Sequence, residues 1–235
     1  MLSEEEINVL LKKGYLFDRK TTEEFYENYL LLLSSLTKNY VRTINALRSY
    51  NLCDRIEAEL AGLRPILGDL IYSETDDSLE NCIGCMLRKA GLTVSTAESC
   101  TGGTISAMFT SVAGSSDYFL GSVTSYANSV KTGVLGVPAE IIAKHGAVSS
   151  ECVAAMAQGV RRLTGSDYSV ATSGIAGPGG GSDEKPVGLV WIGVSSAKGT
   201  ETYKMIFKSD RKRNIERFAS SALNLLRVKL VNELK

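Results

Sequence analysis

Thr93-Val94-Ser95-Thr96-Ala97-Glu98-Ser99-Cys100-Thr101-Gly102-Gly103 is the stretch on which the fold turns. Its first half is rich in β-forming residues and its second half is a polar turn with two glycines. A run of helical character follows from Thr104, so the segment predicts a short strand, a turn and a helix. A strand end holds Ser99 on a rigid element, while the turn amides and the positive end of the helix dipole face whatever anion sits beside it. The same residues permit a plainer reading, in which Ser99 or Thr101 does no more than cap the helix.

Outward from this segment the pattern is α/β. Leu79 to Ala90 predicts a helix closed by Gly91, Thr93 to Ala97 a strand, and Thr104 to Ala113 a helix ended by Gly114. A second strand is expected over Tyr118 to Tyr126, then short helices over Asn128 to Leu135 and Ala139 to Lys144, separated by Gly136 and Pro138. Ser149 caps a long helix reaching Thr164, with Val153, Met156, Val160 and Leu163 on one face. Three strands follow, Tyr168 to Ile175, Leu189 to Ser196 and Glu201 to Phe207, the last two joined across Lys198-Gly199. A final helix is capped by Asp210 and runs to Glu233. The alternation predicts an α/β fold of three layers, a mixed sheet flanked by helices.

Residues 1–66 carry helical signals. Ser3 and Glu6 form a capping box, Thr21-Thr22-Glu23-Glu24 opens an apolar-periodic run through Phe25, Tyr29 and Leu33, and Arg48 to Leu63 places Leu52, Ile56, Leu60 and Leu63 at helical spacing before Pro65. A small all-helical N-terminal extension over 1–66 and a second domain over 67–235 are therefore expected.

Of the 235 residues 44% are apolar, which is ample for a core. The longest unbroken aliphatic run, Leu30 to Leu33, is far below the roughly 18–20 residues that span a bilayer, so no membrane segment is expected. The acidic opening Met1-Leu2-Ser3-Glu4-Glu5-Glu6 has no apolar stretch behind a basic one, so no signal peptide is read and a cytoplasmic location is expected. The five cysteines, Cys53, Cys82, Cys85, Cys100 and Cys152, lack the spacing of a disulfide framework, and Cys82-Ile-Gly-Cys85 has no second pair or histidine at metal spacing. Residues 1–80 hold 9 Lys+Arg against 15 Asp+Glu, and residues 81–235 hold 17 against 11. The basic second half suits an anionic substrate, but it shows no clustered stripe of the kind nucleic acid requires.

A serine hydroxyl needs a base to become a nucleophile at neutral pH. Two bases are open to Ser99: His145, the one histidine in the chain, and Lys131, provided its pKa is depressed by burial or a neighbouring cation. Tyr126 and Lys131 lie five residues apart across a strand-to-helix turn, a spacing that lets phenol and amine converge beside the strand carrying Ser99. Ser173-Gly174-Ile175-Ala176-Gly177 ends a strand with small residues that admit a ligand to the backbone, and is assigned to the substrate pocket. Gly177-Pro178-Gly179-Gly180-Gly181-Ser182 lacks the Gly-Lys-Ser/Thr ending of a phosphate loop and reads as a flexible rim.

Four blocks in this order, Thr93 to Gly103, Gly121 to Lys131, Lys144 to Ser149 and Ser173 to Gly188, resemble the C-terminal domain of the competence/damage-inducible CinA proteins and the stand-alone nicotinamide-nucleotide amidases. The likeness runs from Leu67, where Leu67-Gly68-Asp69-Leu70-Ile71-Tyr72-Ser73-Glu74 resembles the join to the amidase domain in two-domain CinA proteins, to the C-terminus. The nucleotide-processing domain that precedes that join in them has no counterpart here, so its pyrophosphatase activity is not carried over. The resemblance implies Ser99 as nucleophile, activated by Tyr126 and Lys131, and hydrolysis of nicotinamide mononucleotide to nicotinate mononucleotide and ammonia through an acyl-enzyme. Backbone amides over Cys100, Thr101, Gly102 and Gly103 would hold the oxyanion, and no metal or cofactor is required. Asp210-Arg211 resembles a Gly-Asp-Arg block whose arginine suits phosphate, with Ser209 here in place of the usual glycine. A homodimer or higher homo-oligomer is also implied. Two rivals remain: a non-catalytic nucleotide-binding or assembly module with the same fold, and an amidase for another small carboxamide.

Overall fold

The computed structural model describes residues 77–234 together with Tyr72. The helices expected within 1–66, the boundary at 66/67 and, Tyr72 apart, the join at Leu67 to Glu74 lie outside the described residues. In chain order the elements are α1 (Leu79–Ala90), β1 (Val94–Glu98), α2 (Thr104–Thr110), β2 (Phe119–Thr124), α3 (Asn128–Gly133) and α4 (Ala139–His145). They continue as α5 (Ser150–Thr164), β3 (Tyr168–Gly174), β4 (Leu189–Ser196), β5 (Gly199–Ile206) and α6 (Arg211–Glu233). Among the described residues no helix is long and apolar enough to cross a membrane.

The strands form one mixed sheet in the order β2-β1-β3-β4-β5. β1 runs parallel to both neighbours, and β3-β4 and β4-β5 are antiparallel. The register pairs Glu98 with Thr124 on one side and Thr172 on the other, so the three parallel strands end at one level. Interior β1 is buried along its whole length and the edge strand β2 alternates between half-buried and exposed, the pattern that covered and uncovered strands produce. In doubly covered sheets with parallel strands, ligands are received at the carboxyl ends of those strands.

Small residues on one face of the sheet let α5 come close. Ala97 and Ala171 pack against Val153, Met156, Ala157 and Val160, and Ser169 donates its hydroxyl to the Ala157 carbonyl at 2.6 Å. At Gly193 a Cβ would lie 2.8 Å from the Val153 carbonyl. On the other face α6 packs on β3 and β4 and on α1 and α2. It buries Phe218, Leu223, Leu226 and Leu230, each worth roughly 1.5–3 kcal/mol of transfer free energy. The sequence supplies the helix ends: Ser78 caps α1, Ser149 caps α5 by accepting from Cys152 N–H, and Asp210 caps α6 by accepting from Arg213 N–H. Gly91 and Gly165 close α1 and α5 in the left-handed conformation. The three-layer architecture is thus as expected.

Three local expectations change. The helix predicted to Ala113 stops at Thr110, and Ser115–Asp117 forms a separate 3₁₀ turn after Gly114. Thr110 and Ser111 donate their hydroxyls to the carbonyls of Ser106 and Met108, a local alternative to continuing the helix. Leu163, placed on the apolar face of α5, is 56% exposed because it lies one turn beyond Val160, the last residue of that helix in the core. β2 ends at Thr124 rather than Tyr126, because the carbonyls of Ser125 and Tyr126 turn away to Lys131.

Candidate active site

Ser99 stands one residue past β1, its N–H bonded to the Thr172 carbonyl at 3.0 Å, so the neighbouring strand fixes its backbone. Gly102 and Gly103 then take φ of 60° and 103°, and the chain doubles back into α2. Neither Ser99 nor Thr101 caps that helix, because the N-cap position is Gly103. Glu98, wholly buried, fills the role from outside: its carboxylate accepts from the N–H groups of Gly103 and Ile105, both at 3.0 Å, and of Ser106 at 2.8 Å. The expectation that this helix end faces an anionic ligand is therefore corrected, since the protein's own carboxylate already occupies it. Gly102 N–H is also engaged, by the Ser99 carbonyl. Of the four turn amides expected to hold an oxyanion, only those of Cys100 and Thr101 have no acceptor among the described residues.

Lys131 rises from α3 into the space beside Ser99 and is 1% exposed. Its Nζ is 2.6 Å from the Ser125 carbonyl, 3.2 Å from the Tyr126 carbonyl and 3.1 Å from Ser99 Oγ. Burial away from water holds the Lys131 pKa below the ordinary lysine value. The nearby Cys100 and Cys152 would oppose this only as thiolates. Burial pushes both thiols up, Cys100 to about 12, so at neutral pH they carry no charge. Nζ donates to both carbonyls, and its third polar contact is the Ser99 hydroxyl; in the neutral form the amine has a lone pair free to accept from that hydroxyl.

His145 is not brought to Ser99. Its Nδ1 faces Glu151 at 3.4 Å and its carbonyl accepts from Lys185 Nζ at 2.8 Å. The phenol of Tyr126 also departs from expectation. What Tyr126 offers Lys131 is its carbonyl, whereas its hydroxyl accepts from Arg211 Nη2 at 3.2 Å on a side chain that is 62% exposed. Arg211 reaches back from the start of α6 and gives its Nη1 to the Gly177 carbonyl at 2.8 Å. Ser209 does not prevent this placement.

Around these groups lies a cleft of about 230 Å³. Of the residues expected at the site, Ser99, Cys100, Tyr126, Lys131, Ser173, Gly174, Ala176 and Arg211 line it. Thr101, Gly102, Gly103, Ile175 and Gly177 do not. Thr101 Oγ1 is buried against Thr172 Oγ1 at 2.7 Å, and Ile175 spends its N–H and carbonyl on Leu189 and Gly188. Asn128, Ala147 and Val148 line the cleft without having been singled out, and Asn214, buried in α6, donates to the carbonyls of Ala176 and Ser209 behind the rim. Asn128 could have been found as the residue opening the helix that carries Lys131. Ala147 and Val148 carry no chemical signal in the sequence. Among the described residues no group of three or more His, Cys, Asp or Glu side chains is placed to hold a metal ion.

Residues 76–230 match the family model of the CinA C-terminal domain. A CinA-like protein of Parasynechococcus marenigrum is 51% identical over 162 residues, covering 69% of this chain and 38% of that protein. A CinA-like protein of Chloroherpeton thalassium is 49% identical over 169 residues, covering 70% and 40%. The chain thus spans about two fifths of the length of these relatives. Among solved structures, a CinA superfamily protein from Klebsiella pneumoniae superposes with a TM-score of 0.64 at 35% identity, covering 66% of this chain and 96% of that one. A competence/damage inducible protein from Agrobacterium tumefaciens gives 0.63 at 38%, covering 65% and 93%. The sheet order, the two flanking layers and the matched span together assign this chain to the CinA C-terminal domain family.

Proposed function

We propose that this chain is an amidohydrolase that cleaves the carboxamide of nicotinamide mononucleotide, using Ser99 as nucleophile and Lys131 as base. The observation that carries the reading is the 3.1 Å approach of a buried lysine amine to the serine hydroxyl at the floor of a cleft. Neutral Lys131 takes the Ser99 proton as Oγ attacks the carboxamide carbon, and the oxyanion so formed is met by the N–H of Cys100, the cleft-lining turn residue whose amide has no acceptor. The protonated lysine returns its proton to the departing nitrogen, and ammonia leaves. Water then adds to the acyl-enzyme, with Lys131 taking its proton, and the carboxylate product is released as Ser99 Oγ is reprotonated.

Arg211 supports an anionic nucleotide as substrate. Its guanidinium stands at the rim with one N–H committed to the Gly177 carbonyl and another to the Tyr126 phenol, which orients the fork and leaves further N–H groups for phosphate. The experiment is to incubate the purified chain, and a Ser99→Ala control, with nicotinamide mononucleotide and measure ammonia. Release by the parent and none by the control is expected. Ammonia from free nicotinamide or another small carboxamide, with none from the nucleotide, would replace this reading with an amidase of different substrate. No turnover of any carboxamide would favour a binding or assembly module.

A further inference from the structure

Glu98 is a fully buried carboxylate directly before the nucleophile, and the mechanism above gives it no task. Burying a carboxylate is costly unless hydrogen bonds replace its water, and here three backbone N–H groups of the α2 entry do so. They come from Gly103, Ile105 and Ser106, while the backbone of Glu98 is fixed in β1 between Thr124 and Thr172. The side chain therefore clamps the far end of the 99–103 turn to the strand that begins it. It also removes the Gly103 amide from competition for a ligand, leaving Cys100 and Thr101 as the turn amides without an acceptor. Glu98 thus does the work of a cap, but it does so from the strand residue next to Ser99, five positions before the N-cap Gly103, so the bonds that end the helix also tie it to the nucleophile's own strand. We infer that Glu98 is a positioning residue, which holds the turn so that Ser99 Oγ and the N–H of Cys100 converge on one reacting carbon and its oxygen.

This rests on the amidase reading for its substrate but on geometry alone for its effect. The test uses pyridine-3-boronic acid, whose boron accepts Ser99 Oγ to form a tetrahedral adduct carrying the negative charge that the Cys100 amide would meet. In folded Glu98→Gln, which keeps the shape and loses the charged acceptor, boronate affinity and kcat should fall together by about tenfold or more, while KM for nicotinamide mononucleotide stays within about threefold. The pH at which kcat reaches half its plateau should not move, because Lys131 is untouched. A cap of purely structural role would lower the melting temperature and leave the boronate affinity and kcat of the folded protein at parental values, and that result overturns the inference. Glu98→Asp, one methylene short of α2 with its charge kept, carries the same test if the glutamine variant does not fold, with a smaller loss in the same direction expected. If the parent binds the boronate and Glu98→Gln loses it, but no ammonia comes from the nucleotide, the substrate assignment fails and Glu98 keeps its role. A parent chain that takes no boronate on Ser99 overturns both.

Discussion

Lys131 Nζ and Ser99 Oγ stand 3.1 Å apart although 32 residues of chain separate them. A strand end supplies one partner and a short helix the other, and the amine is buried while the hydroxyl is still reachable from the cleft. A base must be neutral to accept a proton. Burial lowers the Lys131 pKa, so a larger neutral fraction is present at a given pH than in an exposed lysine. The rate should therefore rise with pH through that lowered pKa and then level off, as a kcat profile against a series of buffers would read. Lys131→Arg keeps a positive charge and cannot act as a base, so a loss of roughly 10³-fold or more is expected. A near-parental rate in the arginine variant would refute the Ser-Lys mechanism.

Ser99→Ala should abolish turnover and leave the melting temperature nearly unchanged. The Ser99 hydroxyl has no partner but Lys131 Nζ among the described residues, and its methylene is only half-buried, so little packing is lost. Calorimetry beside an ammonia assay checks both halves, and more than a few per cent of the parental rate in a folded variant would exclude Ser99 as nucleophile.

Tyr126→Phe should act on binding. Its phenol meets Arg211 at the mouth of the cleft and is bonded neither to Lys131 nor to Ser99. A rise in KM of about 3- to 10-fold with kcat within about twofold is expected, the cost of one hydrogen bond that orients the guanidinium. Arg211→Lys should raise KM further, because an ammonium cannot serve the Gly177 carbonyl, the phenol and a phosphate in one plane. A fall in kcat for Tyr126→Phe at constant KM would return the phenol to the proton-transfer path.

Gly159→Ala should destabilise the protein although it places a better helix former inside α5. A Cβ there would lie 2.1 Å from the Leu135 carbonyl, a backbone atom that cannot rotate away. The expected change is a loss of about 1–3 kcal/mol on chemical denaturation, in place of the usual gain of roughly 1 kcal/mol for glycine to alanine in a helix. Because Leu135 lies four residues past Lys131, folded protein should also show reduced kcat. A stabilised variant would contradict the close approach of these two segments.

Much of the fold was legible because its signals are local. Ser149 and Asp210 announce helix starts, Gly91 announces an end, and the β-rich runs at Val94, Tyr168 and Leu189 are each bounded by polar or glycine residues. The meeting of Ser99, Lys131 and Arg211 was reached through the likeness of sequence blocks, since no spacing rule joins residues from three elements. What was not legible depends on partners distant in the chain. Glu98 reads as one more strand residue until α2 folds back on it, Tyr126 reads as a neighbour of Lys131 until Arg211 arrives from 85 residues away, and Leu163 fits the apolar period of α5 beyond the point where the core ends.

Two main-chain oxygens, those of Ser125 and Tyr126, tether Lys131, and this shields the base from mutation around it. Replacing the exposed Tyr126 side chain leaves its carbonyl where it was, so that position can change identity without detuning the base, whereas wholly buried Ser125 admits only a small side chain. Only a change in the path of the backbone between β2 and α3, such as an insertion or a proline, would take the tether away. In a library of variants across this loop, the pH at which kcat rises should therefore withstand exchange of the Tyr126 side chain, whatever KM does, and should not withstand a change in length.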